Sequence, residues 1–250
     1  MPNNPRHEEI LTLLHKLRFV SVGQLTERLG VSTVTIRKDL TTMEDQGLLL
    51  RTHGGATLAE NRNIITTLPR RKEQHRDAKT RIAEKACDFI REGDSIFIDA
   101  GSTTAMFASM LRDKSLRVLT NSLDVMMVLA DAPDITLISI GGNYRKDAGS
   151  FIGPLAMENV RQFRINTAFL GATAFNSQAI FSSQNIIESQ LKKTVLSVSS
   201  RKIILCDSGK YNADAFSIFA RNHEIDILIT DTGFPDCGTI ENTGLEVFCV

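Results

Sequence analysis

Residues 31–56 read VSTVTIRKDLTTMEDQGLLLRTHGGA, and the fold of the first part of the chain turns on them. Ile36, Leu40 and Met43 recur at i, i+4 and i+7, so the spacing predicts a helix from about Thr33 to Gln46 with one buried face. Ser32 stands where a hydroxyl caps the first turn. Gly47 ends the helix, and a short strand runs through Arg51 to a Gly54-Gly55 hairpin tip. The opposite helix face carries Thr33, Thr35, Arg37 and Lys38. A helix fits the major groove, where a guanidinium fork pairs with a guanine edge and hydroxyl or ammonium groups hold phosphates. A helix of this kind followed by a basic hairpin reads as the recognition helix and wing of a winged helix-turn-helix. The competing reading is a charged, solvated face on an ordinary helix.

The preceding residues bear on that choice. Ile10, Leu13, Leu14 and Leu17 have helical spacing, and Ser21 is placed to cap a second helix, Val22–Leu29, with Val22, Leu25 and Leu29 apolar. Gly30 breaks it. Helix, helix, tight turn, helix and hairpin within residues 1–56 is a winged helix-turn-helix layout; the alternative is a three-helix bundle with no DNA role. Lys+Arg and Asp+Glu both total 29, so the net charge is zero, which counts mildly against nucleic-acid binding. Charge position matters more than the sum, because phosphate contacts come from local clusters. Residues 1–60 are themselves balanced, so specific affinity would rest on few contacts or on several subunits acting together.

Residues 57–80 are polar, carry Pro69, and read as a linker that becomes helical after about Leu68. Arg70, Arg71, Lys72, Arg76, Lys79 and Arg81 form a basic run. Such runs are usually solvated, but here the run leads into an anion site, which gives Arg71 or Lys79 a phosphate-facing alternative. From residue 81 to 250, apolar strands alternate with amphipathic helices. The strands are Ser95–Ala100, Arg117–Thr120, Ile135–Ile140, Thr167–Leu170, Lys202–Cys206, Ile225–Thr230 and Leu245–Val250; the helices include Thr103–Leu111, Ser122–Asp131 and Asn185–Ser199. This pattern predicts an α/β domain with a mostly parallel sheet covered on both faces. The four cysteines have neither CxxC nor metal-ligand spacing and read as buried free thiols, which suits a reducing compartment. With no apolar signal region and no apolar run near ~18 residues, the expectation is a cytosolic protein that does not span a membrane and holds no metal or cofactor.

In such sheets ligands bind beyond the carboxyl ends of strands. The first end gives Asp99-Ala100-Gly101-Ser102-Thr103-Thr104, running straight into a helix. A glycine admits close approach, hydroxyls donate, and the helix N-terminus supplies free N–H groups, which together outline a phosphate cradle. It has neither the Walker A nor the dinucleotide spacing, and a tight turn with a Ser/Thr cap is the plain alternative. The second end, Thr120-Asn121-Ser122, is another polar donor set. The third, Gly141-Gly142, has backbone a ligand could approach. A later end, Cys206-Asp207-Ser208-Gly209-Lys210, carries a carboxylate and a cation. Several donor-bearing ends and a single lysine favour a small polyol phosphate over a large anion. Lys192 and Lys193 on the preceding helix read as solvent charges, and Glu188 pairs with Lys192 at i,i+4.

The segment VSTVTIRKDLTTMEDQGLLLRTHGGA resembles the N-terminal signature of DeoR-family transcriptional regulators, with Met43 in place of the usual leucine, a volume-conserving swap. The resemblance continues through K-x-x-I-A (79–83), GDSIFIDAGSTT (93–104), TNS (120–122), GG (141–142), FLG (169–171), DSGKY (207–211) and ITD (229–231), and so covers essentially the whole chain. It implies operator DNA binding, usually to repress a carbohydrate operon, with Ser32, Thr33, Thr35, Arg37 and Lys38 at the groove and Arg51 and His53 on the wing. Asp39 would orient Arg37 or an adjacent cation. It also implies an effector domain similar in fold to ribose-5-phosphate isomerase and glucosamine-6-phosphate deaminase that binds a phosphorylated sugar. Gly101, Ser102, Thr103 and Thr104 would hold the phosphate, and Lys79, Asp207 and Lys210 the effector. Gly209 departs from the commoner serine and would loosen its loop. A homodimer or homotetramer follows from paired half-sites about one DNA turn apart.

The other function class is an isomerase or deaminase with a fused regulatory domain. Such an enzyme needs a carboxylate base beside the sugar. Related isomerases carry it in the turn after the F-x-G strand, where this chain has Gly171-Ala172-Thr173-Ala174-Phe175 and no acid. Binding without turnover is therefore the reading carried forward.

Overall fold

The computed structural model describes residues 5–17, 19–45, 48–52, 54–58, 74–234 and 244–250. The chain divides into two compact units, residues 1–64 and 65–250.

In the first unit, helix α1 (Pro5–Leu17), strand β1 (Phe19–Ser21), helices α2 (Val22–Leu29) and α3 (Thr33–Asp45), and strands β2 (Leu49–Thr52) and β3 (Gly55–Leu58) follow one another. The strands form one antiparallel sheet in the order β1-β3-β2. Ile36, Leu40 and Met43 are buried to within 1% and meet Ile10, Leu14, Leu25 and Leu49. Each such side chain contributes about 1.5–3 kcal/mol by leaving water. Ser21 caps α2 with a reciprocal capping box: its hydroxyl accepts from the Gln24 N–H at 3.1 Å, and the Gln24 side chain accepts from the Ser21 N–H at 2.9 Å. The three-residue strand β1 has no periodicity to announce it and was not foreseen. The wing runs on through Leu58, past residue 56, where the sequence pattern ends the first domain.

In the second unit, seven strands form one all-parallel sheet: β4 (Ser95–Ile98), β5 (Leu116–Thr120), β6 (Ile135–Ser139), β9 (Ile165–Leu170), β12 (Ser199–Leu205), β14 (Ile227–Thr230) and β15 (Glu246–Cys249). Their order is β15-β14-β12-β9-β4-β5-β6. Side chains alternate between two cores. Ile96 and Ile98 face helices α4 (Arg76–Cys87), α5 (Ser102–Ser109) and α6 (Leu123–Leu129), whereas Phe97 faces α7 (Pro154–Val160) and α8 (Ile186–Val198). From β4 the chain winds outward through β5 and β6, then returns to β9 and winds the other way. The gap between the ends of β4 and β9 is therefore the topological switch point, where such sheets open a crevice.

Three features were not anticipated. They are α7, the hairpin β7 (Asn143–Arg145) with β8 (Ser150–Ile152), and a small antiparallel sheet of β10 (Ala174–Phe175), β11 (Phe181–Ser183) and β13 (Ser217–Ala220). Cys87 and Cys206 are free thiols, as expected, but Cys249 is disulfide-bonded. Pairing depends on where the fold brings two cysteines together, which the absence of a CxxC spacing does not exclude, so that expectation is corrected for Cys249.

Gly55 tests the close approach of wing and β1. A Cβ there would lie 2.2 Å from the Val20 carbonyl oxygen and 2.8 Å from the Ser21 Cα, whereas at Gly54 nothing lies within 4 Å. Gly55→Ala should cost at least about 1–3 kcal/mol, as overpacking does, and Gly54→Ala should stay within about 0.5 kcal/mol. Chemical denaturation of the two variants measures the difference.

Candidate functional site

The exposed face of α3 is built by its buried one. With Ile36, Leu40 and Met43 turned inward, Thr33, Val34, Arg37 and Lys38 stand exposed and Thr35 half-buried. Ser32 caps the helix as expected: its hydroxyl accepts from the Thr35 N–H at 3.2 Å and lies 2.9 Å from the Thr35 hydroxyl. Arg37 and Lys38 have no ion-pair partner among the described residues. Two uncommitted cations, hydroxyls and an exposed Val34 methyl pair form the mixture that reads phosphates and base edges. Val34 was missed because the apolar pattern assigns valine to a core.

Two expectations for this face change. Asp39 orients Arg6 of α1, which grips its carboxylate through Nε at 2.5 Å and Nη2 at 3.0 Å; His7 Nε2 lies 3.4 Å away. The partner is therefore Arg6, not Arg37, because residue 39 sits on the flank of α3 that meets α1. Burial alone would raise the Asp39 carboxyl, but the Arg6 hydrogen bond and charge, with His7 adding, hold it below the usual range. Arg51 folds back onto α3, its Nη1 donating to the Thr41 hydroxyl at 2.6 Å and its N–H to Glu44 at 2.9 Å. His53 lies outside the described residues.

In the second unit a cleft opens at the switch point. Gly101–Thr104 after β4, Gly171–Thr173 after β9, and Cys206, Asp207 and Lys210 after β12 line it, with Glu188 and Lys192 from α8. Gly101 occupies the cap position of α5 without a side-chain cap. The caps of α6 and α8 are filled instead, by Ser122 and Asn185, whose side chains accept from first-turn N–H groups. The first-turn amides of α5 thus remain open donors beside the hydroxyls of Ser102 and Thr103, an arrangement suited to an anion. Lys210 has no carboxylate partner among the described residues. Asp207 is buried, and its Oδ1 has no hydrogen-bond partner among the described residues.

Lys192 is 2% exposed, not a solvent charge. Its ammonium pairs with Asp99, donates to the Gly171 carbonyl at 2.8 Å, and lies 3.5 Å from Glu188 Oε1, the i,i+4 partner foreseen. Burial would lower its pKa, but Asp99 and then Glu188 outweigh that and hold it above the ordinary lysine value. Sequence carried the signal: Lys192 lies three and four residues before Val195 and Leu196, on the buried stripe of α8. Lys193, by contrast, is exposed. Asp231 was also missed as a positioning residue. It accepts from the Ser208 N–H at 2.6 Å, the Ser208 hydroxyl at 2.8 Å and the Gly233 N–H at 3.1 Å, so the 207–210 loop is pinned, not loosened by Gly209.

Some expected residues stand away from the cleft. Asp99 lies beneath it, held by Lys192 and by the Gly171 N–H at 3.2 Å. Lys79 is buried and donates to the Gln74 carbonyl at 2.5 Å, and Arg71 lies outside the described residues. Asn121 supports the cradle from below, its Oδ1 accepting from the Ala100 N–H at 3.0 Å. Gly141 and Gly142, at φ 63° and 110°, do not line the cleft. A Cβ on Gly142 would lie 2.6 Å from the Ile152 carbonyl oxygen, so this pair admits the 143–152 hairpin. The strand-end rule picks out every end, whereas only ends beside the switch point face the crevice.

A helix with uncommitted cations ahead of a wing, and a polar cleft at the switch point of a separate α/β unit, define a nucleic-acid-binding module joined to a sensor. Residues 6–62 match the DeoR-like helix-turn-helix domain and residues 74–232 the DeoR C-terminal sensor domain. The chain belongs to the DeoR family of transcriptional regulators. It is 35% identical over 237 residues to the lactose phosphotransferase system repressor of Lactococcus lactis subsp. lactis, covering 92% of each. It is 31% identical over 236 residues to the glycerol-3-phosphate regulon repressor of Escherichia coli K12, covering 94% of this chain and 93% of that one. These relatives are named as repressors, in agreement with a regulator and not an enzyme. The second unit is similar to ribose 5-phosphate isomerase A from Methanocaldococcus jannaschii, at 17% identity and TM-score 0.42 over 55% of each chain. No helix among the described residues is long and apolar enough to cross a membrane.

The Asp39 ion pair should make the first unit acid-sensitive. Its folded-state pKa lies below the ordinary aspartate value, so its contribution to stability is complete above that ordinary value and is lost as pH falls through the folded one. Urea midpoints of the wild type should therefore drop below about pH 4, and Asp39→Asn should flatten that limb while lowering the neutral-pH midpoint. An unchanged acid limb in the variant would assign the sensitivity elsewhere.

Proposed function

We propose that the protein is an operator-binding repressor of a carbohydrate-utilisation operon, released or engaged by a phosphorylated sugar seated in the switch-point cleft. In this reading residues 1–56 grip DNA, 81–250 sense the effector and 57–80 join them; the protein works in the cytoplasm as a homodimer or homotetramer. The uncapped start of α5 carries the effector assignment, because its open amides and the Ser102 and Thr103 hydroxyls meet Lys210, which has no carboxylate partner among the described residues, in one cleft. Thr104, fully buried with its hydroxyl donating to the Gly101 carbonyl at 3.1 Å, holds the turn in shape. Phosphate would sit on these donors, and the polyol would extend toward Glu188 and Asp207. The names of the relatives, one a phosphotransferase-system repressor and one a glycerol-3-phosphate regulon repressor, support a phosphorylated carbohydrate.

On the DNA side Arg37 reads a base edge, Lys38 holds phosphate, Ser32, Thr33 and Thr35 add hydroxyl contacts, and His53 acts from the wing, which Arg51 braces through Thr41. The ligand must bind the DNA-competent and DNA-incompetent states with different affinity, since equal binding shifts nothing.

Gel shifts with the gene's own upstream region test both halves. Arg37→Ala should weaken specific binding by about 1–3 kcal/mol and relax discrimination against random DNA. Ser102→Ala with Thr103→Ala should bind that DNA normally but no longer respond to any sugar phosphate that shifts the wild type. A normal response in the double variant would move the phosphate site elsewhere.

A further inference from the structure

The cleft has a second chemical character. Beside its donors stand two carboxylates, Glu188 and Asp207, which as ions only accept hydrogen bonds. Glu188 is held from three elements: Arg145 of the hairpin donates to Oε2 at 3.1 Å, the Ser183 hydroxyl to Oε1 at 3.3 Å, and Lys192 lies 3.5 Å from Oε1. Both cations are shared, Arg145 with Asp147 at 2.6 Å and Lys192 with Asp99. Neither is free to receive an anion. Glu188 is thus fixed in one orientation, with its side chain still 20% exposed. Asp207 is 3% exposed, and its Oδ1 has no hydrogen-bond partner among the described residues. Its loop is fixed by Asp231, so it cannot easily swing away.

Resting on the phosphate reading above, we infer that Glu188 and Asp207 restrict the cleft to phosphate monoesters of neutral polyols and sugars, and reject phosphorylated sugar acids and bisphosphates. One anionic group is satisfied by the α5 amides and Lys210. Whatever the rest of the ligand brings to the carboxylates must donate hydrogen bonds. Hydroxyls do so and satisfy the orphan Asp207 oxygen. A second carboxylate has no proton to give, a second phosphate at most one, and either meets like charge at short range, where water is too scarce to screen it. Discrimination of this kind, by an unpaired buried polar group, is stronger than a fit of shape alone achieves.

Matched pairs that differ by one carboxylate test the inference on the full chain: glycerol 3-phosphate with 3-phosphoglycerate, ribose 5-phosphate with 5-phosphoribonate, and glucose 6-phosphate with 6-phosphogluconate. Calorimetric titration should show the neutral member of the best-bound pair favoured by about tenfold or more, as even a partly screened like-charge contact gives. Glu188→Gln and, separately, Asp207→Asn should narrow that ratio severalfold by improving the acid's binding, a gain that a purely structural defect cannot produce. The inference is overturned if the wild type binds acid and neutral members alike, or if neither variant narrows the ratio. Should inorganic phosphate and all six esters fail to bind the wild type, the phosphate reading falls and the inference with it. Phosphate binding without the selectivity would overturn the inference alone.

Discussion

A single buried ammonium holds the sensor together at the place where its sheet changes direction. Lys192 reaches from α8 to Asp99 at the end of β4 and to the Gly171 carbonyl at the end of β9, and Asp99 in turn accepts from the Gly171 N–H. Two strands that part company at the switch point are thereby tied to each other and to a helix. Removing one partner of such a pair costs about 3–5 kcal/mol, because the other charge is left buried and uncompensated. The net gain over an apolar pair is far smaller, so stability is a weak reason for it. Its geometric effect is clearer. It fixes the loop after β4, whose helix start stays uncapped and open to an anion, and it fixes Glu188 one turn back on α8.

The first unit solves a different problem with little charge. Its cations and acids nearly balance, and several are spent on structure: Arg6 on Asp39, Arg28 on Glu9, Arg51 on Thr41. What remains uncommitted on the outer face of α3 is Arg37 and Lys38. A unit so balanced in charge, with Arg37 and Lys38 as the uncommitted cations of its exposed helix face among the described residues, cannot bind DNA tightly by charge alone. That favours base readout and several copies acting together over nonspecific attraction.

Much of this was legible in the sequence because it depends on periodicity. The Ile36, Leu40, Met43 stripe, the seven apolar strands, and the Ser21 and Ser32 caps each follow from local rules. The strand-end rule also located the Asp99–Thr104 and Asp207–Lys210 loops. What stayed hidden depends on sheet order. Asn121, Gly141 and Gly142 end strands on the far side of β4 from β9, and no local pattern distinguishes them from Gly171 or Asp207. Lys192 read as solvated because lysine usually is, although its place on the buried stripe of α8 pointed inward. Hairpin 143–152 and the small sheet of β10, β11 and β13 consist of two- to four-residue strands, too short for an alternation to stand out.

The claim on which everything rests is that one protein couples a DNA grip to a sugar-phosphate cleft. Linkage makes that claim quantitative, since the factor by which an effector changes DNA affinity must equal the factor by which DNA changes effector affinity. The decisive measurement is the affinity of the free protein and of its complex with its own upstream DNA for the sugar phosphate that stabilises the protein most. The coupling described here predicts different affinities, in the same ratio as the effector's influence on DNA binding. Identical affinities for free and DNA-bound protein would contradict it.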